Sequence, residues 1–194
     1  MTPPPLAFGA SEMRAAFEAH GANCGPGAIA ALTGVTPCDV LGVMPDFARR
    51  RITTEGMLCR AVAALGGRAA PVAPDAMCLG ALRIAWEGPW WQAGTPASLL
   101  SRTHWIAVAR PAPLAPRICA RGVAPGDRVF DFNAIGVGGW ISGAEWRADL
   151  VPWLLARAVP GATGRWIALD AYAVVAPAAS RCRMRPGPRP GSGR

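Results

Sequence analysis

A single cysteine, at the junction of a small-residue loop and an apolar segment, is the part of this sequence best suited to covalent chemistry. Residues 23–27 read Asn-Cys-Gly-Pro-Gly, and residues 28–32 are apolar, as expected for a helix in the middle of a domain. Cys24 is therefore predicted at a helix N-terminus, where free backbone N–H groups and the helix dipole favour the nucleophilic thiolate. The alternative is that Cys24 is a small core hydrophobe, as most free cysteines are.

A catalytic thiol needs a base, and only two histidines are present. His104 begins the apolar segment 103–109, so a strand would hold its ring at one end of a sheet. His20 is four residues before Cys24, in a glycine-flanked segment that would hold it less rigidly. His104 is therefore the preferred base, and His20 is a residue that could contact the site.

The next predicted strand, residues 128–133, supplies candidates for the group that orients the base. Asp131 and Asn133 are two residues apart, which places both side chains on one face of a strand. Either side chain can accept a hydrogen bond from an imidazole N–H, and Asp131 is the preferred partner. The alternative is a strand-ending turn, because glycines follow at 136, 138 and 139.

Helical patterns precede the strands along the chain, which predicts an α+β fold. Pro26 inside the first turn and Gly34 just past the end agree with a helix that starts near Cys24. The other predicted helices cover about 11–19 with Ser11 as the cap, 37–41 with Thr36 as the cap, a segment that begins at Thr53 or Thr54 and runs to 65, and 142–154. The predicted strands cover 68–72, 81–86, 103–109, 128–133 and 166–175.

The length of 194 residues suits one domain with a full core, predicted over residues 11–179. Residues 1–10 are expected to be a flexible lead-in. The Arg-, Pro- and Gly-rich tail 180–194 is expected to be disordered.

Composition excludes several classes of function. All 20 basic residues are arginines and the net charge is +8, but they are scattered and no nucleic-acid-recognition motif is visible, so nucleic acid is an unfavoured partner. Six widely spaced cysteines without a CxxC pair predict no zinc site, redox dithiol or other cofactor. The absence of a signal-like N-terminus or an apolar run of 18 residues predicts a cytoplasmic protein without a membrane partner.

Trp86, Trp90 and Trp91 surround a Gly-Pro turn after the second predicted strand and are candidates for lining a substrate cleft. The alternative is that they are aromatic staples over a small sheet. Trp105 is next to the preferred base, where it is expected to shield the base from water and to contribute to substrate binding.

Together, Asn-Cys-Gly-Pro at 23–26, His-Trp at 104–105 and Val-Phe-Asp at 129–131 resemble the papain-like cysteine peptidase superfamily. The nearest likeness is to bacterial and phage proteins of the bacteriocin-processing, leader-peptidase type, over about residues 11–135. The resemblance implies an N-terminal helical half packed on an antiparallel sheet. It also implies a thiol protease with Cys24 as nucleophile, His104 as base and later acid, and Asp131 or Asn133 as the third member.

The sequence departs from that family at the oxyanion donor. Family members usually carry a glutamine several residues before the cysteine, whereas the only glutamine here is Gln92. Asn23 and the Cys24 backbone N–H are the expected replacements, and an impaired site is the alternative. A peptide or protein substrate is expected. The rival functions are an acyltransferase, transglutaminase or deamidase on the same fold, and a non-catalytic binding protein, with the oligomeric state left open.

Overall fold

The computed structural model describes residues 2–21, 23–86, 103–111, 122–137, 139–158 and 165–176. Five helices come first: α1 Ala10–His20, α2 Cys24–Thr33, α3 Pro37–Gly42, α4 Phe47–Arg50 and α5 Glu55–Ala64. The strands β1 Arg68–Val72, β2 Leu79–Trp86, β3 Thr103–Ala109 and β4 Arg128–Phe130 follow. The chain continues with a 3-10 helix at Phe132–Val137, β5 Trp140–Ser142, α6 Gly143–Glu145, a π-helical turn at Trp146–Leu150, α7 Val151–Ala158 and β6 Trp166–Val175.

Helix α2 is the centre of the helical layer. It begins at Cys24 and is buried from Gly25 to Thr33. It ends because Gly34 adopts a left-handed conformation (φ 69°) and donates its N–H to the Ala30 carbonyl. Both ends agree with the prediction from Pro26 and Gly34, and a helix buried all round is what an apolar sequence requires.

The other helix starts follow capping chemistry, with one correction. Thr36 caps α3 and Thr54 caps α5 through their hydroxyl groups, as the sequence predicted. The predicted cap of α1, Ser11, is wrong. Gly9 is the N-cap, and the Glu12 carboxylate accepts both the Gly9 N–H and the Ser11 hydroxyl.

The six strands form one antiparallel sheet in the order β1-β6-β2-β3-β4-β5. Alternation along β3 divides the core into two layers. Trp105 and Ala107 pack against α2 and the other N-terminal helices, whereas Ile106 and Val108 pack against Trp146 and α7 on the opposite face. The α+β prediction is therefore confirmed. No helix in the described ranges is long and apolar enough to cross a membrane.

Strand β4 is shorter than predicted. It ends at Phe130, and the chain turns into the 3-10 helix because Asp131 accepts the backbone N–H of Asn133 with its side chain and that of Ala134 with its carbonyl. Asp131 and Asn133 therefore do not lie on one face of a strand.

The N-terminal segment also differs from expectation. Phe8 is buried in the core and its ring packs edge-on against Phe130 at 5.8 Å, while Leu6 packs at the margin of the same layer. An apolar side chain inside the core explains why the described part of 1–10 is not simply a loose lead-in. The predicted tail 180–194 lies outside the described residues.

A buried ion pair stabilises the C-terminal end of β3. Arg110 follows the strand, and its Nε donates to Asp127 Oδ2 at 2.9 Å. Its other N–H groups donate to the carbonyls of Pro74, Met77 and Gly122. A buried charge needs such complete pairing, so Arg110 fixes the loops at this end of the sheet.

Candidate active site

A buried carboxylate, Asp131, is the hub of the site. Its Oδ2 lies 3.0 Å from His104 Nε2 and accepts the Trp146 indole N–H at 2.9 Å. Its Oδ1 accepts the backbone N–H and the side-chain amide of Asn133, each at 2.9 Å. Both oxygens are therefore engaged by donors, which holds the carboxylate in one position and compensates for its burial.

The electrostatics of the His104–Asp131 pair favour the charged forms of both groups. Burial by itself lowers the pKa of His104, but the Asp131 charge and then Cys24 outweigh it and hold that pKa well above its ordinary value. Burial likewise raises the pKa of Asp131, but His104 and the hydrogen bonds from His104, Trp146 and Asn133 lower it overall. Both shifts thus act in the direction that favours an imidazolium paired with a carboxylate.

Cys24 interacts with His104 and helps to raise the pKa of its imidazole. Its side chain is within hydrogen-bonding reach of His104. Because Asp131 occupies Nε2, Nδ1 is the ring nitrogen left for the sulfur. Sγ also lies 3.6 Å from Asn23 Oδ1, and the residue is only partly buried. The structure thus brings together Cys24, His104 and Asp131, with Asn23 beside the sulfur.

Strand β3 positions both the base and the thiol. His104 is part of the strand, and the next residue, Trp105, donates its indole N–H to the Thr53 carbonyl at 2.9 Å. Thr53 in turn packs directly against Cα of Gly25, the residue after Cys24. The start of α2 is thus tied to the strand that carries His104 through Trp105 and Thr53.

Trp105 is not a substrate-binding residue, which corrects the prediction made from its position. It is 2% exposed, and its ring packs near Tyr172 and Arg83 in the core. Alternation along β3 explains this, since neighbours of His104 point to the opposite face of the sheet. Trp90 and Trp91 lie outside the described residues. His20 is exposed at the end of α1.

Asn133 and Trp146 have roles that the sequence pattern did not reveal. Asn133 was a candidate to bond the base directly, but its side chain donates to Asp131. Trp146 lies in the predicted helix 142–154 and was given no role in the site, yet its fully buried indole donates to the same carboxylate. The one available signal was that a buried tryptophan N–H usually has an acceptor.

Comparison of the chain with protein-family models, with curated proteins and with solved structures finds no match in any of the three. Function therefore has to be inferred from the site itself.

The contact between Thr53 and Gly25 leads to the first prediction. A Cβ at Gly25 would overlap the Thr53 hydroxyl and Cβ, so Gly25→Ala must displace either Thr53 or the start of α2. Overpacking of this kind costs about 1–3 kcal/mol, and the displacement should slow alkylation of Cys24. Denaturant unfolding and iodoacetamide labelling measure the two effects.

Gly27→Ala is the matched control, because it lies in the same helix and a Cβ there would make ordinary contacts of 3.5–3.6 Å. Alanine loses less backbone entropy than glycine when a helix forms, so that variant should be as stable as the parent or more stable by about 0.5–1 kcal/mol. Equal stability and equal labelling of the two variants would refute the role given to Thr53.

Proposed function

We propose that this chain is a papain-like cysteine hydrolase that cleaves a peptide or amide bond. The observation that carries the proposal is the buried Asp131–His104 pair, whose free ring edge meets the cysteine at the start of α2. A nucleophile, a base within reach of it and a third group orienting the base are the parts that covalent acyl transfer needs.

The parts have assigned tasks in an acyl-transfer cycle. Cys24 Sγ, as a thiolate, attacks the substrate carbonyl carbon, and His104 then gives its Nδ1 proton to the leaving amine as the C–N bond breaks. The product of this half is a thioester on Cys24 and a free amine. Neutral His104 next takes a proton from water, whose oxygen attacks the thioester, and the carboxylic acid leaves as the thiolate re-forms.

Asp131 contributes by fixing the ring and by stabilising its charged form. Its hydrogen bond to Nε2 directs Nδ1 toward the sulfur. The cycle alternates between imidazolium and imidazole, so a partner that remains a carboxylate lowers the energy of the charged stage. The donors from Trp146 and Asn133 keep that carboxylate aligned.

The oxyanion is assigned to backbone donors at the start of α2. The Asn23 side chain makes no capping hydrogen bond to the helix, and its Oδ1 lies 3.6 Å from Sγ. The N–H groups of the first turn, beginning with Cys24, are thus not used by an N-cap side chain, and they carry the positive end of the helix dipole. An oxyanion formed beside Sγ would be stabilised by these donors.

Thiol reactivity tests the nucleophile. Cys24 should be the fastest of the six cysteines to react with iodoacetamide near pH 6, because His104 is within reach of its sulfur and can take up the thiol proton. Cys38 is an exposed free thiol, so its labelling rate shows what solvent access alone produces. Cys59 should react more slowly, because burial and the Glu55 charge raise the pKa of its thiol. Peptide mapping after brief labelling gives the order.

His104→Ala should remove the advantage of Cys24, whereas His20→Ala should not. Labelling of Cys24 no faster than that of Cys38, or unchanged by His104→Ala, would remove the dyad and favour a non-catalytic binding protein.

Turnover tests the reaction and the order of the supporting residues. Asp131→Ala should reduce hydrolysis of a peptide library by orders of magnitude, because it removes the partner of His104. Asn133→Ala should reduce hydrolysis less, because it deletes one side-chain donor to Asp131 and leaves the Trp146 indole and the backbone N–H of residue 133 as donors. Mass spectrometry of the products gives both rates.

The reverse order would make the amide the third member of the site. Product formation that requires an added primary amine, or ammonia release from glutamine peptides, would replace the hydrolase with a transferase or a deamidase.

A further inference from the structure

A groove of about 510 Å³ lies next to the site. It lies between the 3-10 helix and the continuous helical segment 143–158, which we call the C-terminal helical segment. The 3-10 helix contributes Asn133 to one wall. The residues on the other wall include Glu145, Asp149, Leu150 and Trp153, and Ile141 adds apolar surface. The groove has no part in the acyl-transfer cycle, so its lining calls for a separate explanation.

The helical wall combines charge with apolar surface. Glu145, Asp149 and Trp153 follow one another at intervals of four residues, which places them on one side of the segment. The two carboxylates are exposed, and Trp153 is 48% exposed despite its size. Leu150 and Ile141 are half-buried beside them. A long side chain with an aliphatic stem and a charged tip matches such a lining.

The charge of the residues that line the groove indicates what kind of ligand it binds. The chain carries a net charge of +8, yet both charged residues that line the groove are acidic. Glu145 Oε2 is used by the Ser142 N–H and hydroxyl, and Arg128 lies near enough to help lower the pKa of Glu145. Asp149 forms no ion pair with any described residue. Asp149 is therefore the group positioned to pair with an incoming cation.

One side chain links the groove to the proposed catalytic residues. Asn133 lines the groove and donates its amide to Asp131, which holds His104. The groove is thus one hydrogen-bonded side chain away from the His104–Asp131 pair. Asn133 is thus the side chain that both lines the groove and helps to hold Asp131 in position.

We propose that this groove binds an arginine or lysine side chain of the substrate polypeptide, near the bond that is cleaved. This inference rests on the proposed hydrolase function. The stem of the side chain packs on Leu150 and Ile141, and the cationic tip pairs with Asp149 and lies near the Trp153 ring. Asp149 is thus a specificity-determining residue and takes no part in bond cleavage.

The test compares two libraries of acetylated, amidated nonapeptides without other basic residues, one carrying a single arginine and the other citrulline. Citrulline has nearly the same shape as arginine and no charge. The wild-type protein should cleave the arginine library with a kcat/KM at least tenfold higher. Asp149→Asn should reduce that preference to about twofold and leave citrulline cleavage unchanged.

Asp46→Asn is the matched control, since it removes an exposed carboxylate in the helical layer and should keep the full preference. Equal cleavage of the two libraries by the wild type, or a preference that survives Asp149→Asn, would overturn the groove assignment while leaving the hydrolase in place.

A binding measurement separates failure of the groove from failure of the hydrolase. Cys24→Ala should hold the fluorescently labelled arginine library at least tenfold more tightly than the citrulline library, by fluorescence anisotropy, and Cys24→Ala/Asp149→Asn should not. If the wild type cleaves neither library but this difference in binding is present, the groove stands and the proposed reaction falls. The absence of a binding difference overturns the groove.

Discussion

The hydrogen-bonded pair of His104 and Asp131 is the interaction on which the site depends. Both side chains are buried, and an isolated buried charge would be strongly unfavourable. The pair is tolerated because each charge compensates the other and because Trp146 and Asn133 complete the shell of the carboxylate. Removing one member would leave the other charge uncompensated, and breaking a buried pair in this way costs about 3–5 kcal/mol.

The rest of the fold can be understood as support for that pair. Strand β3 carries His104 at one end, and its far end is held by the ion pair of Arg110 and Asp127. The contact from Trp105 to Thr53 and on to Gly25 fixes the start of α2 relative to the same strand. The proposed nucleophile and base come from separate layers and are positioned by one strand, which gives the short-range precision that the proposed acyl transfer would require.

Local features were predictable from the sequence because their causes are local. Helix α2 follows from an apolar run bounded by Pro26 and Gly34, and the capping residues Thr36 and Thr54 mark the starts of α3 and α5. The strand 103–109 follows from its apolar run, and His104 at its start could be singled out because the chain has only two histidines.

Features that depend on long-range contacts could not be predicted in the same way. The strand predicted to run through Asn133 ends at Phe130, because the Asp131 side chain and carbonyl accept hydrogen bonds from the backbone N–H groups of Asn133 and Ala134. The Trp146 bond to Asp131 spans 15 residues and that between Trp105 and Thr53 spans 52. Residue types alone do not reveal such pairings, so Trp105 was misassigned to substrate binding and Trp146 was not recognised as part of the site.

Titration of His104 by NMR tests the central claim most directly, and His20→Ala assigns the two histidine signals. The Asp131 charge should hold the pKa of His104 well above the ordinary 6.5. Stability from this pair is then fully present between about pH 4 and about pH 6.5. It is lost as pH rises through the folded pKa of His104 or falls through the folded pKa of Asp131. Asp131→Asn keeps the shape but removes the charge, so it should lower the titration midpoint of His104. A wild-type midpoint at or below 6.5, or one that Asp131→Asn leaves unchanged, would contradict the account.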